Sequence, residues 1–99
     1  MHSREIEEIL DTCRPHRAER VLIFARPGTG RSAVVAGKRV GGAVERNRAR
    51  RVLRAAWRDV ASLAQDRDAV LVARASIAGA RSDELAAEIR ALMEGITVR

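Results

Sequence analysis

Between Lys38 and Arg58 the chain carries Lys38, Arg39, Arg46, Arg48, Arg50, Arg51, Arg54 and Arg58 against one acid, Glu45. Each guanidinium can fork onto two phosphate oxygens or stack on an unpaired base, whereas an ammonium acts as a point charge. Asn47, set between two arginines, adds an amide that donates and accepts at once. This is the chemistry of holding an anion rather than of breaking a bond. The segment sums to +7 in a chain of net +6, so the remainder is close to neutral. A charge gathered in this way meets a polyanion, either nucleic acid or an anionic membrane surface.

Other chemistries find little support. The acids are scattered singly, so no paired-carboxylate site is expected. His2 and His16 stand apart, and Cys13 is the single cysteine, which excludes an internal disulfide and any zinc spacing. The stretch Pro27-Gly28-Thr29-Gly30-Arg31-Ser32 lacks the Lys and the following helix of a phosphate-binding loop. Neither a catalytic side chain, nor a protein-bound metal, nor a small-molecule substrate is expected. The longest apolar runs, Val21–Ala25 and Ala69–Ala73, are far shorter than a membrane span, and the polar start MHSREIEE is no signal peptide. Cytoplasmic location and no membrane partner follow as expectations.

These residues need elements to hold them, and the 99 residues read as one domain with a single modest core. Ile6, Ile9 and Leu10 recur at helical spacing behind a possible Ser3 cap, and Pro15 ends that helix. Arg20–Arg26 is β-branched and aromatic, and stops at the Pro27–Gly30 turn, whose glycines supply positive φ. Ser32–Ala36 then reads as the second strand of a hairpin, and His16 as a loop residue. Gly37, Gly41 and Gly42 lead into a long helix over Ala43–Ala64. Asp66–Asp68 close it, Ala69–Arg74 is apolar without alternation as in a buried strand, and Ser82 caps a last helix with Leu85, Ile89, Leu92 and Met93 on its core face.

On a helical wheel Ala49, Val52, Leu53, Ala56, Trp57, Val60, Leu63 and Ala64 share an arc of roughly 140°. Asn47, Arg48, Arg50, Arg51, Arg54 and Arg58 fill the other side, with Arg46 at the boundary. The apolar arc anchors the helix and the charge points outward. Like charges at i,i+4, as in Arg46, Arg50, Arg54 and Arg58, cost a few tenths of a kcal/mol per pair, and cations near a helix N-terminus oppose its dipole. A segment that works against its own stability points to a ligand. Trp57, at the edge of the arc, reads as a core residue.

The run Lys38-Arg39-Val40-Gly41-Gly42-Ala43-Val44-Glu45-Arg46-Asn47-Arg48-Ala49-Arg50-Arg51-Val52-Leu53-Arg54 resembles the signature of the bacterial ribonuclease P protein subunit: two basic residues, Val-Gly-x-Ala-Val-x-Arg-Asn-Arg, then x-basic-Arg-x-Leu-Arg. The resemblance implies an α+β sandwich of order α-β-β-β-α-β-α. Its sheet has four strands, mostly antiparallel, with helices packed on it and the arginine helix in a left-handed β-α-β crossover. It implies a protein that binds the catalytic ribonuclease P RNA and helps hold precursor tRNA, whose 5′ leader lies in a cleft between the sheet and the first helix. The RNA and its bound Mg²⁺ carry the hydrolysis, so the protein alone is not catalytic. By the same resemblance Arg46, Asn47, Arg48, Arg50, Arg51 and Arg54 contact the RNA subunit, and Lys38 and Arg39 border that surface; Arg58, on the same outward face of the wheel, is added as a candidate RNA contact.

The chain departs from the family pattern in its short, acidic N-terminus. Ile6 stands where a Phe is expected, Tyr is absent, and Phe24 is the one remaining aromatic candidate for the leader cleft. Three other readings stay open: a divergent paralogue that binds RNA or DNA without a role in tRNA maturation, a module placing the arginine helix in a DNA major groove, and a domain whose basic face meets an acidic protein.

Overall fold

The computed structural model describes residues 1–97. Their order is α1 (Ser3–Thr12), β1 (Pro15–Arg17), β2 (Val21–Pro27), β3 (Ser32–Val35), α2 (Ala43–Val60), β4 (Arg67–Ala73) and α3 (Ser82–Thr97). Short 3₁₀ turns lie at Lys38–Val40, Ala61–Ala64 and Ala75–Ile77. The four strands form one mixed sheet in the order β1-β2-β4-β3. This is the α+β architecture expected.

β4 explains the order. Its residues from Asp68 to Leu71 are all buried, and a strand covered on both faces belongs at the centre of a sheet. It runs antiparallel to β2, with Ile23 opposite Leu71, and parallel to β3, with Val34 opposite Leu71. The expected hairpin between β2 and β3 is therefore absent, because β4 lies between them. The Pro27–Gly30 segment instead crosses the end of β4, where Gly28 N–H donates to the Asp66 carbonyl and Ala69 N–H to that of Arg31. Of the two turn glycines only Gly30 has a positive φ, 91°. Gly28 is required for another reason: a Cβ there would run into the Asp68 carboxyl group.

β1 corrects a second expectation. His16 is not in a loop but pairs with Ile23, and Pro15 pairs with Phe24. Three residues give almost no periodicity, and Pro15 is tolerated because β1 is an edge strand. Ser3 and Ser82 are already helical residues rather than caps; His2 precedes α1 without a side-chain bond. Arg81 precedes α3, and its N–H donates to Glu84 Oε1 at 3.2 Å.

The main core lies on one face of the sheet. Val21 and Ile23 of β2 and Ala69, Leu71 and Ala73 of β4 meet Leu53, Ala56, Trp57 and Val60 of α2 and Leu85, Ala86, Ile89 and Met93 of α3. Burying a side chain such as Leu53 contributes about 1.5–3 kcal/mol, which fixes α2 firmly enough to carry its own repulsive charges. On the opposite face α1 lies over β2 and β4, with Ile9 and Val70 fully buried.

Candidate nucleic-acid interface

The segment before α2 is bent by three residues. Val40 is buried and pins the 3₁₀ turn to the core, which leaves Lys38 and Arg39 exposed. Gly41 follows at φ 141°, a conformation that side chains avoid, and a Cβ there would lie 2.9 Å from Glu45 Cβ. Gly42 precedes the helix with no side-chain cap, and Arg46 N–H donates to its carbonyl at 2.9 Å. The chain thus turns sharply enough to place Lys38 and Arg39 beside the start of α2.

Along α2 the wheel holds. Ala49, Leu53, Ala56, Trp57 and Val60 are buried; Asn47, Arg48, Arg51, Arg54 and Arg58 are exposed; Arg46 and Arg50 are half-buried at the flank. The helix ends at Val60 rather than Ala64, and the last four residues tighten into a 3₁₀ turn. Asn47 Oδ1 accepts a hydrogen bond from Arg50 Nη2, so the amide orders a neighbouring guanidinium. Val44, in the first turn, is 77% exposed and is the exposed large hydrophobic residue of the described structure.

Ion pairs engage four arginines, all outside the basic stretch, while Arg4, Arg14, Arg17, Arg67, Arg74 and Arg90 also make none among the described residues. Arg20 lies near Glu84, Arg26 near Glu5 and Glu8, Arg31 near Glu5 and Asp68, and Arg81 near Asp83. Among the described residues, Lys38, Arg39 and the six arginines of α2 make no ion pair. Chain-wide charge statistics do not reveal this; it depends on where the acids fold to. The carboxylates that form these pairs sit on α1, on β4 and in the first turn of α3, and none of them lies on the basic helix.

Phe24 is not part of this surface. It alternates with the core residue Ile23, pairs with Val70, and is half-buried on the opposite, α1-covered face of the sheet. Two guanidiniums at that face are already engaged: Arg26 Nη1 lies 2.9 Å from Glu8 Oε1, and Arg31 Nη1 lies 2.7 Å from Glu5 Oε2; Arg17, opposite Leu22 on the same face, makes no ion pair among the described residues. Trp57 is a core residue, 8% exposed.

Two features escaped the sequence reading. The local pattern sets Asp68 at a helix end and the family resemblance, over Asp68–Arg74, in the fourth strand; it is a 2%-exposed residue of β4, and what neither reading gave is that it accepts from the N–H groups of Thr29 and Arg31 and from Arg31 Nη2. An acid directly before an apolar strand run was the available signal. The other is a groove along β3, lined by Ser32, Val34, Arg54, Trp57 and Arg58. It joins positions more than twenty residues apart, for which periodicity offers no signal. Among the described residues, no group of three or more His, Cys, Asp or Glu side chains is placed to hold a metal ion, and no helix is long and apolar enough to cross a membrane.

The comparisons agree with this architecture. Residues 1–97 match the family model described as Ribonuclease P. Among solved structures the chain is similar to the Staphylococcus aureus RNase P protein, at 14% identity over 95% of this chain and 90% of that one, with a TM-score of 0.77. It is also similar to the RNase P protein from Thermotoga maritima, at 18% identity over 92% of this chain and 90% of that one, with a TM-score of 0.76. No curated protein matches. At such identities the solved structures establish the shared fold, and the sequence match over nearly the whole chain establishes the kinship: the chain belongs to the bacterial ribonuclease P protein family.

Proposed function

We propose that this ribonuclease P protein subunit binds the ribonuclease P RNA through Lys38, Arg39, Arg46, Asn47, Arg48, Arg50, Arg51, Arg54 and Arg58, and that it helps hold precursor tRNA for removal of the 5′ leader. The observation that carries the reading is the set of eight cations without a carboxylate partner among the described residues, held on one helix and the turn before it. Unpaired guanidiniums on a rigid support can meet phosphates without first breaking an ion pair or ordering a loop. In this reading the RNA and the Mg²⁺ it binds carry out hydrolysis, and the protein contributes affinity and charge neutralisation. Its weaker part concerns the leader, since Phe24 is the single aromatic residue on the α1 side and Arg26 and Arg31 there are paired with carboxylates.

That second observation favours an alternative, a divergent paralogue that binds RNA and takes no part in tRNA maturation. Reconstitution with the RNA subunit from the same genome separates the two. At low Mg²⁺ the protein is expected to accelerate leader removal well beyond the RNA alone. Tight RNA binding with no acceleration establishes the paralogue, and the absence of RNA binding refutes both.

A further inference from the structure

We infer that the groove between the outer edge of β3 and α2 receives one unpaired nucleotide of a single-stranded RNA segment, with its base against Val34 and the rim of Trp57 and its flanking phosphates on Arg54 and Arg58. The inference rests on the RNA-binding reading above and adds a mode of recognition to it. Phosphate contacts alone carry no preference for single strands; a groove that admits a base does.

The groove measures about 290 Å³, the lower end of the range for small-ligand clefts, about 300 Å³, and so suits a single base. Its floor is apolar, and its wall is a helix turn that sets Arg54 and Arg58 side by side at i,i+4. Neither guanidinium has an ion-pair partner among the described residues. The third component is backbone. β3 pairs with β4 alone, and Ala69 N–H donates to the Arg31 carbonyl at 3.0 Å. In a parallel ladder, alternate residues turn their N–H and C=O groups to the same side. Arg31, Ala33 and Val35 therefore face β4, and Ser32 and Val34 direct their backbone groups outward along the open edge. A base edge needs such neighbouring donors and acceptors, and the Ser32 hydroxyl adds another at the mouth.

An acidic peptide adding itself to β3 as a further strand is less well served. Only two residues of this four-residue strand face outward, which supports a short register. The unpaired cations also continue past the groove along α2, matching a chain with one charge per nucleotide better than a single acidic segment.

Trp57 is the sole tryptophan, so its emission reports on the groove directly. The probes are a short oligoadenylate, an abasic ribose-phosphate strand of equal length and charge, and an oligoglutamate peptide. Oligoadenylate is expected to alter Trp57 emission and to bind at least about fivefold more tightly than the abasic strand. Arg54→Ala with Arg58→Ala should weaken oligoadenylate binding and suppress its effect on Trp57 emission with the thermal melt unchanged. Ser32→Glu, which places a carboxylate at the mouth without touching α2, should do the same. Equal affinity for the two strands with unmoved emission overturns the inference. So does an oligoglutamate that alters the emission where oligoadenylate does not, since the groove would then serve an acidic protein. Ribonuclease P RNA is titrated in parallel: if it binds while the groove stays silent, only this inference falls, and if it does not bind, the proposed function falls with it.

Discussion

Asp68 shows how one side chain can organise a loop. Its carboxylate is nearly enclosed, and it ties down the crossing between β2 and β3 through two backbone N–H groups and the Arg31 guanidinium. Arg31, helped by those N–H groups, pulls the Asp68 pKa from its ordinary 3.8 down to about 2. A carboxyl whose pKa is lowered on folding stabilises the fold above its unfolded value, and that contribution is lost as pH falls through the folded one. Stability is thus expected to be flat above pH 4 in this respect and to decline from pH 4 toward pH 2. Asp68→Asn removes the charge and leaves the Arg31 contact without its anion. It should cost about 1–3 kcal/mol at neutral pH and flatten the acid limb of a urea-midpoint profile. An unchanged profile would mean that the loop is held by other bonds.

At the scale of the element, α2 combines two tasks that oppose each other locally. Its outer face repels itself, and its first turn carries Arg46 against the helix dipole; its inner face buries five residues into the core. The burial terms, about 1.5–3 kcal/mol for a large side chain, exceed the repulsions of a few tenths per pair. The helix therefore persists in the free protein with its guanidiniums unpaired and oriented. If about four to six phosphates are neutralised on binding, the logarithm of the RNA association constant should fall with the logarithm of salt at a slope of roughly −3 to −5. Arg50→Ala with Arg54→Ala should make the slope shallower by about one to two while the protein still folds. A salt-independent affinity contradicts the phosphate reading; loss of folding in the double variant contradicts the assignment of faces.

The molecule as a whole keeps its two faces electrically distinct. Beyond the sheet from α2, the acids of α1 meet Arg26 and Arg31, and Phe24 lies half-buried among apolar neighbours. A leader phosphate that reached Arg26 or Arg31 at that face would have to compete with Glu5 and Glu8 for them. Glu5→Gln with Glu8→Gln is expected to raise the affinity gained from a longer precursor leader, roughly two- to tenfold at low salt. Phe24→Leu, which keeps much of the apolar volume, should lower that gain by about 1–3 kcal/mol. Binding of the RNA subunit should be unaffected by either change, because the surface proposed for it lies on the other side of the sheet. If neither variant moves the dependence on leader length, the α1 face holds no leader; if both weaken the RNA subunit, the two faces act as one.

The sequence by itself determined what was local. The arc of Ala49, Leu53, Ala56, Trp57 and Val60, the outward arginines and the helix over Ile6–Leu10 follow from side chains that repeat with the period of their own element, and the buried character of β4 from an apolar run without alternation. The family signature from Lys38 to Arg54 was legible for the same reason, since it occupies one turn and one helix. Only the tertiary structure decided what depends on distant partners. It set β4 between β2 and β3, where a hairpin had looked natural, because the strand apolar on both faces must take the centre and no local pattern names its neighbours. It drew β1 out of three residues that carry no measurable period. It also brought Glu5, Glu8 and Asp68 onto Arg26 and Arg31 and none of them onto α2. Which cations remain free is fixed by where the carboxylates arrive, and long-range packing governs that.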